Sequence, residues 1–114
     1  MALRPISETQ IWDEIIAAEA RMSFPQRRFW EAIRIMPEKW MRHPYGDAGS
    51  GFWVVGIIGR VVVWFNDIEH GFNTSRYEPF GRIINYWCNQ DDLDVCLWSP
   101  LRSLLKDLSV TAEQ

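Results

Sequence analysis

The stretch from Phe52 to Asn66 constrains the fold more than any other part of the sequence. It contains two runs of β-branched and aromatic residues, 52–58 and 61–66, separated by Gly59-Arg60. A two-residue connection with glycine first is typical of a type II′ β-hairpin. The sequence therefore predicts two antiparallel strands joined at residues 59 and 60.

Both faces of this hairpin are apolar. Pairing residue 58 with 61, 57 with 62, 55 with 64 and 53 with 66 places opposed residues on one face. One face then carries Trp53, Val55, Ile57, Val62 and Trp64, and the other carries Phe52, Val54, Gly56, Ile58, Val61, Val63 and Phe65. An antiparallel sheet with one solvated side would alternate apolar and polar residues. The hairpin must therefore be covered on both faces.

Three covers for the second face are open. An N-terminal helix and a C-terminal helical pair can lie one on each face. The loop before the hairpin, with Trp40 and Tyr45, can fold across the sheet. Another chain can also cover it, because large exposed apolar patches are rare on monomers. Seven tryptophans among 114 residues favour the last two covers, since tryptophan anchors many interfaces.

The chain before the hairpin begins with a well-marked helix. Ser7 and Gln10 can form a capping box, Ile6 can pack on Ile11, and an apolar stripe continues to about Met22. The pattern predicts an amphipathic helix packed on the sheet.

Residues 24–36 fit either a helix capped by Ser23 or an alternating strand. We predict a strand over about 28–35, ended by Pro37, because an isolated hairpin needs further strands to be stable. Residues 39–51 are rich in glycine and other turn residues and predict the main loop.

The chain after the hairpin predicts a second polar loop over 67–75 and a strand over 82–87. Asn89 or Asp91 can cap a short helix, and Ser99-Pro100 can begin another. With 47% hydrophobic and 24% charged residues, the composition is that of a globular protein.

The sequence therefore predicts an α+β fold. We expect one domain over residues 1–114, with flexible ends at 1–5 and 109–114. It would contain a roughly four-stranded, mainly antiparallel sheet, an N-terminal helix and a C-terminal helical pair.

Composition also excludes several classes of function. The net charge of −3 argues against nucleic-acid binding, which usually needs a basic surface. The longest apolar stretch, 52–65, is too short to span a bilayer, and the N-terminus does not resemble a signal peptide, so we expect a cytoplasmic protein. Cys88 and Cys96 lack metal-ligand spacing; we expect reduced thiols, with a redox pair as the alternative, and neither metal nor cofactor.

The polar loop after the hairpin is the densest cluster of functional groups. Asp67, Glu69 and His70 could serve acid–base chemistry or bind a metal, and Arg76 could hold an anion. The spacing matches no catalytic motif, and turns need the same residue types, so binding is the better prediction and no catalytic residue is assigned. The candidate binding residues are Trp40, His43, Asp47, Trp53, Trp64, Asp67, Glu69, His70, Asn73 and Arg76.

These observations predict a small non-enzymatic binding or interaction protein. Its aromatic sheet face or its two polar loops would engage another protein or a second copy of itself, and its size and acidity would suit an inhibitor or immunity-type partner of a basic toxin. Two alternatives stay open. A ligand- or carbohydrate-binding module would stack its ligand on Trp40 or Trp53, and a small hydrolase would use the 66–76 loop.

Overall fold

A computed structural model describes residues 5–104 and has the predicted α+β architecture. Its four-stranded antiparallel sheet has the strand order β1-β2-β3-β4. The predicted flexible ends lie outside the described residues, except for Pro5. The elements are α1 Glu8–Arg21, α2 Phe24–Ile33, β1 Arg34–Trp40, β2 Phe52–Ile58, β3 Val61–Asn66, β4 Gly71–Arg76, α3 Leu93–Cys96 and a further helix, α4, over residues 98–104.

Helix α1 begins as its sequence predicts. The Ser7 side chain accepts a hydrogen bond from the Gln10 backbone, and the Gln10 side chain accepts one from the Ser7 backbone. Ile11, Ile15 and Ala18 are buried against the sheet. The helix ends at Arg21, one residue before the predicted end at Met22.

The strand predicted over 28–35 is wrong. Residues 24–33 form α2, which Ser23 caps through a second capping box with Gln26. Proline in the first turn and buried residues at helical spacing outweigh the alternating pattern. The extra strand comes later, as β1, and Pro37 lies inside this edge strand, where a missing backbone donor is tolerated. The main loop accordingly starts at Met41.

The hairpin turns at Gly59-Arg60 as predicted, and residues 58 and 57 pair with 61 and 62. The register then shifts between Val54 and Gly56, so that Trp53 lies opposite Phe65 and Val54 opposite Trp64. The predicted pairs 55/64 and 53/66 are therefore wrong, and Trp53 and Trp64 belong to different faces. A β carbon at Gly56 would lie 3.1 Å from the Trp30 ring, so glycine lets α2 approach the sheet at this bulge.

The fourth strand is β4, which occupies most of the loop predicted over 67–75. Only residues 67–70 form the turn. The strand predicted over 82–87 is wrong, since that region makes isolated bridges only. The C-terminal helical pair is present, but Asp92 precedes α3 without a side-chain cap, and Ser99 and Pro100 lie inside α4 rather than at its start.

The two faces of the sheet have different covers. The helix-covered face packs Val55, Val63, Phe65 and Phe72 against α1, α2, α3 and α4. The opposite, segment-covered face carries Phe52, Val54, Val62 and Trp64 and packs against residues of the irregular stretch 77–90, which we call the covering segment. The helices therefore do not divide between the faces, and the chain closes the second face itself, with help from Tyr45, whose ring stacks on Tyr86.

Candidate functional site

The two predicted loops lie at the same end of the sheet. This end is marked by the pairs Trp40 with Phe52, Trp53 with Phe65 and Asn66 with Gly71. Residues 41–51 connect β1 to β2 there, and residues 67–70 connect β3 to β4. A cleft lies on each side of it. Loop residues on the end of a rigid sheet are a common location for binding groups.

The first cleft has a volume of about 330 Å³ and joins the start of α1 to the sheet. An Asp67 carboxylate oxygen accepts a hydrogen bond from the Ile6 backbone N–H at 2.9 Å. The Trp53 indole N–H donates to the Ile6 carbonyl at 2.8 Å. Asp67 and Trp53, both predicted site residues, therefore bind the backbone N–H and the carbonyl of Ile6. These hydrogen bonds attach the start of α1 to the sheet.

His70 borders the same cleft. Its backbone is left-handed with φ of 59°, which is uncommon for a residue with a side chain. Its Nε2 lies 3.5 Å from a Glu14 carboxylate oxygen, and its ring meets the Phe65 ring edge-on at 5.1 Å. The side chain itself is largely exposed, so this turn presents an imidazole to solvent beside a carboxylate.

Lys39 closes the edge of this region. Its ammonium lies 4.7 Å above the centre of the Trp53 ring and donates to the Gly51 carbonyl at 3.3 Å. Partial burial lowers the pKa of Lys39, and the nearby Asp67 charge opposes that shift. The face of the Trp53 ring is therefore occupied by the chain's own cation.

The second cleft has a volume of about 450 Å³ and is lined by Met41, Arg42, His43, Arg82 and Ile83. His43 Nδ1 lies 2.8 Å from an Asp47 carboxylate oxygen. These two predicted site residues are thus brought together, on the exposed surface of the main loop. The arginines at 42 and 82 had no role in the sequence prediction.

Three predicted site residues are buried. The Trp40 indole donates to Glu38 at 2.7 Å and packs against Tyr77 and Phe80. The Trp64 indole donates to the Ser75 hydroxyl at 2.9 Å. With Asn73, they present no accessible group at the surface.

Asn66, Asn73 and Ser75 form a polar row on the segment-covered face. Their side chains donate to the backbone carbonyls of alternate residues in the covering segment: Trp87, Asn89 and Asn85, respectively. Asn73 also accepts from the Asn89 N–H at 2.9 Å. The row satisfies the backbone of a segment that has no strand partner along most of its length.

Glu69 and Arg76 line neither of the two clefts. The Glu69 backbone takes part in the turn, where its N–H donates to Asn66 and its carbonyl accepts from Gln90. Arg76 is exposed and pairs with Val61, at the opposite end of β4 from the 67–70 turn, and its carbonyl accepts from the Ile84 N–H beside the second cleft. The anion-holding role predicted for Arg76 would need it beside Asp67 and His70, and the structure does not bring these residues together.

The residues that sequence reasoning missed are exposed and apolar. Five such side chains come from the main loop and the covering segment, which contact each other through the bridge between Met41 and Arg82 and the ring stack of Tyr45 on Tyr86. The signal was the density of aromatic residues between 77 and 87, part of which lies in the strand predicted over 82–87. These five residues, which we call the outer patch, are Met41, Tyr45, Phe80, Ile84 and Trp87.

Other kinds of site find little support. Within residues 5–104, no three histidine, cysteine, aspartate or glutamate side chains are grouped to bind a metal ion. Over the same residues, no helix has both the length and the apolar character needed to cross a membrane. Cys88 is exposed and Cys96 is buried, and both are free thiols.

Comparisons with protein-family models, with curated proteins and with solved structures find no match to this chain.

Proposed function

We propose that this chain is a non-enzymatic protein-binding domain whose contact surface is the outer patch. The observation that carries the proposal is the exposure of its side chains. Phe80 is 67% exposed and Trp87 52% exposed, although each lies in a segment that is otherwise fixed to the sheet. Large aromatic side chains held at the surface by a rigid support are characteristic anchors of protein interfaces.

The support beneath the patch favours a preformed surface. Tyr45 stacks on Tyr86 with ring centres 4.0 Å apart, and Tyr86 in turn contacts Phe52 and Trp64 of the segment-covered face. Burial raises the pKa of Tyr86. A patch built on packed aromatic rings loses little side-chain entropy on binding.

The surroundings of the patch favour a protein partner over a sugar. Arg42 and Arg82 lie beside Met41 in the adjoining cleft, and arginine with aromatic residues is the composition enriched in interface cores. The tryptophans considered for stacking a sugar are less suitable, because Trp40 is buried and the Trp53 ring carries Lys39 on its face.

The test compares a patch variant with a matched control. The patch variant is Phe80→Ser with Trp87→Ser; the control is Phe24→Ser with Met36→Ser, whose side chains are 74% and 71% exposed and lie outside the patch. Each purified chain is used as bait in an extract of cells of its source, and bound proteins are cross-linked and quantified by mass spectrometry. Sedimentation velocity follows self-association, and thermal unfolding verifies that each variant is folded.

We expect at least one protein, or a second copy of the chain, to bind both the wild type and the control. Its binding to the patch variant should be weaker by about tenfold or more. Because Phe80 also contacts Trp40, Trp87→Ser alone is tested as a milder change. The proposal is wrong if the patch variant keeps the partners and the oligomeric state of the wild type.

A further inference from the structure

The second cleft has the features of an anion-binding site. It lies where the backbone of Met41 pairs with that of Arg82, through hydrogen bonds from the Met41 N–H to the Gly81 carbonyl and from the Ile83 N–H to the Met41 carbonyl. This short parallel pairing fixes the backbone that carries both arginines. Its volume of about 450 Å³ falls in the ~300–1,000 Å³ range of small-molecule clefts.

Arg42 lines this cleft and has an unused donor. Its Nη1 donates to the His43 carbonyl at 2.9 Å, which orients the guanidinium. Its Nε is buried and has no hydrogen-bond partner among the described residues. Unpaired buried donors are rare in folded proteins because they lose their hydration without compensation. A small rotation of the guanidinium toward the cleft would bring this group to an acceptor on a ligand.

The charge of the cleft also favours an anion. Neither Arg42 nor Arg82 forms an ion pair with a carboxylate within residues 5–104, although the whole chain has a net charge of −3. The carboxylate of Asp47, in the same loop as Arg42, is engaged with His43. The two arginines therefore make the cleft locally positive, in contrast to the negative charge of the whole chain.

We propose that this cleft binds an oxyanion, a phosphate or a carboxylate, carried by a small molecule. Guanidinium groups present several donors in a planar fork that matches the oxygens of both ions. The volume exceeds the needs of a single small ion, and the apolar side chains of Met41 and Ile83 can contact the rest of the ligand. The site shares Met41 with the outer patch but does not depend on the proposed function, since a small anion requires no protein partner.

The test observes the arginine side chains directly. The Nε–Hε signals of the full chain are followed by ¹⁵N NMR during titration with inorganic phosphate and, separately, with succinate. Sodium chloride at equal ionic strength is the control titration. We expect saturable shifts of the Arg42 and Arg82 signals with at least one of the two oxyanions, and none with chloride.

Arg28 and Arg102 serve as internal controls, because both are exposed and lie on α2 and α4, which cover the other face of the sheet. Arg82→Gln should weaken the binding by about tenfold or more, whereas Arg28→Gln should leave it unchanged. The proposal is overturned if neither oxyanion gives a saturable shift, or if Arg28 and Arg102 shift with the same midpoint. Loss of partner binding by the patch variant, with oxyanion binding retained, would separate this site from the protein-binding surface.

Discussion

The two faces of the sheet are closed by opposite means. On the helix-covered face, α1 and α2 contribute apolar stripes, and the buried contacts are largely between apolar side chains. On the segment-covered face, an irregular segment lies on the sheet and is held by side-chain hydrogen bonds from Asn66, Asn73 and Ser75. Helices satisfy their own backbone groups, whereas an irregular cover must obtain its hydrogen bonds from the surface that it covers.

This difference explains why the covering segment exposes aromatic residues. A helix can bury one stripe and expose a polar one, so its outer side is solvated easily. The covering segment has no such periodicity: it inserts Ile83 and Tyr86 toward the sheet and leaves Phe80 and Trp87 outside. The face with the irregular cover is therefore the one that carries the proposed binding surface.

The largest effect is expected from removing the tryptophan at the centre of the segment-covered face. Trp64→Ala should lower the free energy of unfolding by about 3–5 kcal/mol, because the side chain is fully buried and bonds to Ser75. Chemical denaturation measures the loss. Trp30→Ala is the matched change on the helix-covered face, where the buried indole donates to Glu19.

Hydrogen exchange separates these two variants. In Trp64→Ala, we expect faster exchange of the Ile83 and Asn89 amides, which bond to Met41 and Asn73, beyond the acceleration seen in the β2 and β3 core. In Trp30→Ala, these two amides should follow the core. Equal patterns in both variants would mean that the two covers form a single cooperative unit and do not open independently.

A smaller effect is expected from the polar row. Asn73→Ala should lower the free energy of unfolding by about 1–3 kcal/mol, because it leaves the Asn89 N–H without its acceptor beneath the segment. Thr74→Ala is the neighbouring control on the same strand, where the side chain is half-buried; its cost should stay under about 1 kcal/mol. If the two variants lose the same stability, the row does not fix the segment.

The sequence predicted the helix-covered face better than the segment-covered face. Regular elements have sequence signals within a few residues of each other. The capping box at Ser7 therefore predicts α1, and the Gly59-Arg60 turn predicts the hairpin. The bulge at Gly56 depends on the approach of Trp30, which no local pattern contains. The roles of Asn73 and Ser75 likewise depend on the backbone of residues distant in sequence. Their place in a run of polar and turn-forming residues therefore predicted a loop where a strand lies.

The candidate site shows the same limit. Asp67 and Trp53 have side chains of the types found in binding sites, but both bind the backbone of Ile6. Only the tertiary fold brings Ile6 next to these two side chains. His43 and Asp47, four residues apart, do meet. The exposed Phe80 and Trp87 could not be distinguished from core aromatics, because exposure is a property of packing and not of residue type.

Helix α2 offers a local test on the helix-covered face. Ser23→Ala should lower the free energy of unfolding by about 1 kcal/mol, because the hydroxyl accepts from the Gln26 N–H at the first turn. Ser103→Ala, at an exposed position of α4, is the control and should change it by less than about 0.5 kcal/mol. Equal values would argue against the cap, and with it against the helix in place of the predicted strand.

The two cysteines give the smallest perturbation and probe the two covers separately. Cys88 lies exposed in the covering segment, and Cys96 is buried on the helix-covered face. Cys88→Ser should therefore change the free energy of unfolding by less than about 0.5 kcal/mol. At about pH 8, a thiol reagent should label Cys88 at once and Cys96 only when the helical cover opens. Rapid labelling of both residues in the native protein would contradict this assignment.

In Cys88→Ser, Cys96 is the one remaining thiol of the chain. The pH dependence of the free energy of unfolding of this variant therefore contains no contribution from another thiol. Burial raises the pKa of Cys96 to about 12 from 9.0, so between these values the unfolded chain releases a proton that the native protein retains. The native state binds more protons in this window, and the free energy of unfolding must fall as the pH rises, by up to about 1.4 kcal/mol per pH unit. Adding Cys96→Ala should remove this component of the slope. An unchanged slope would mean that the thiol is hydrated in the native protein and that the helix-covered face is less tightly closed than its packing indicates.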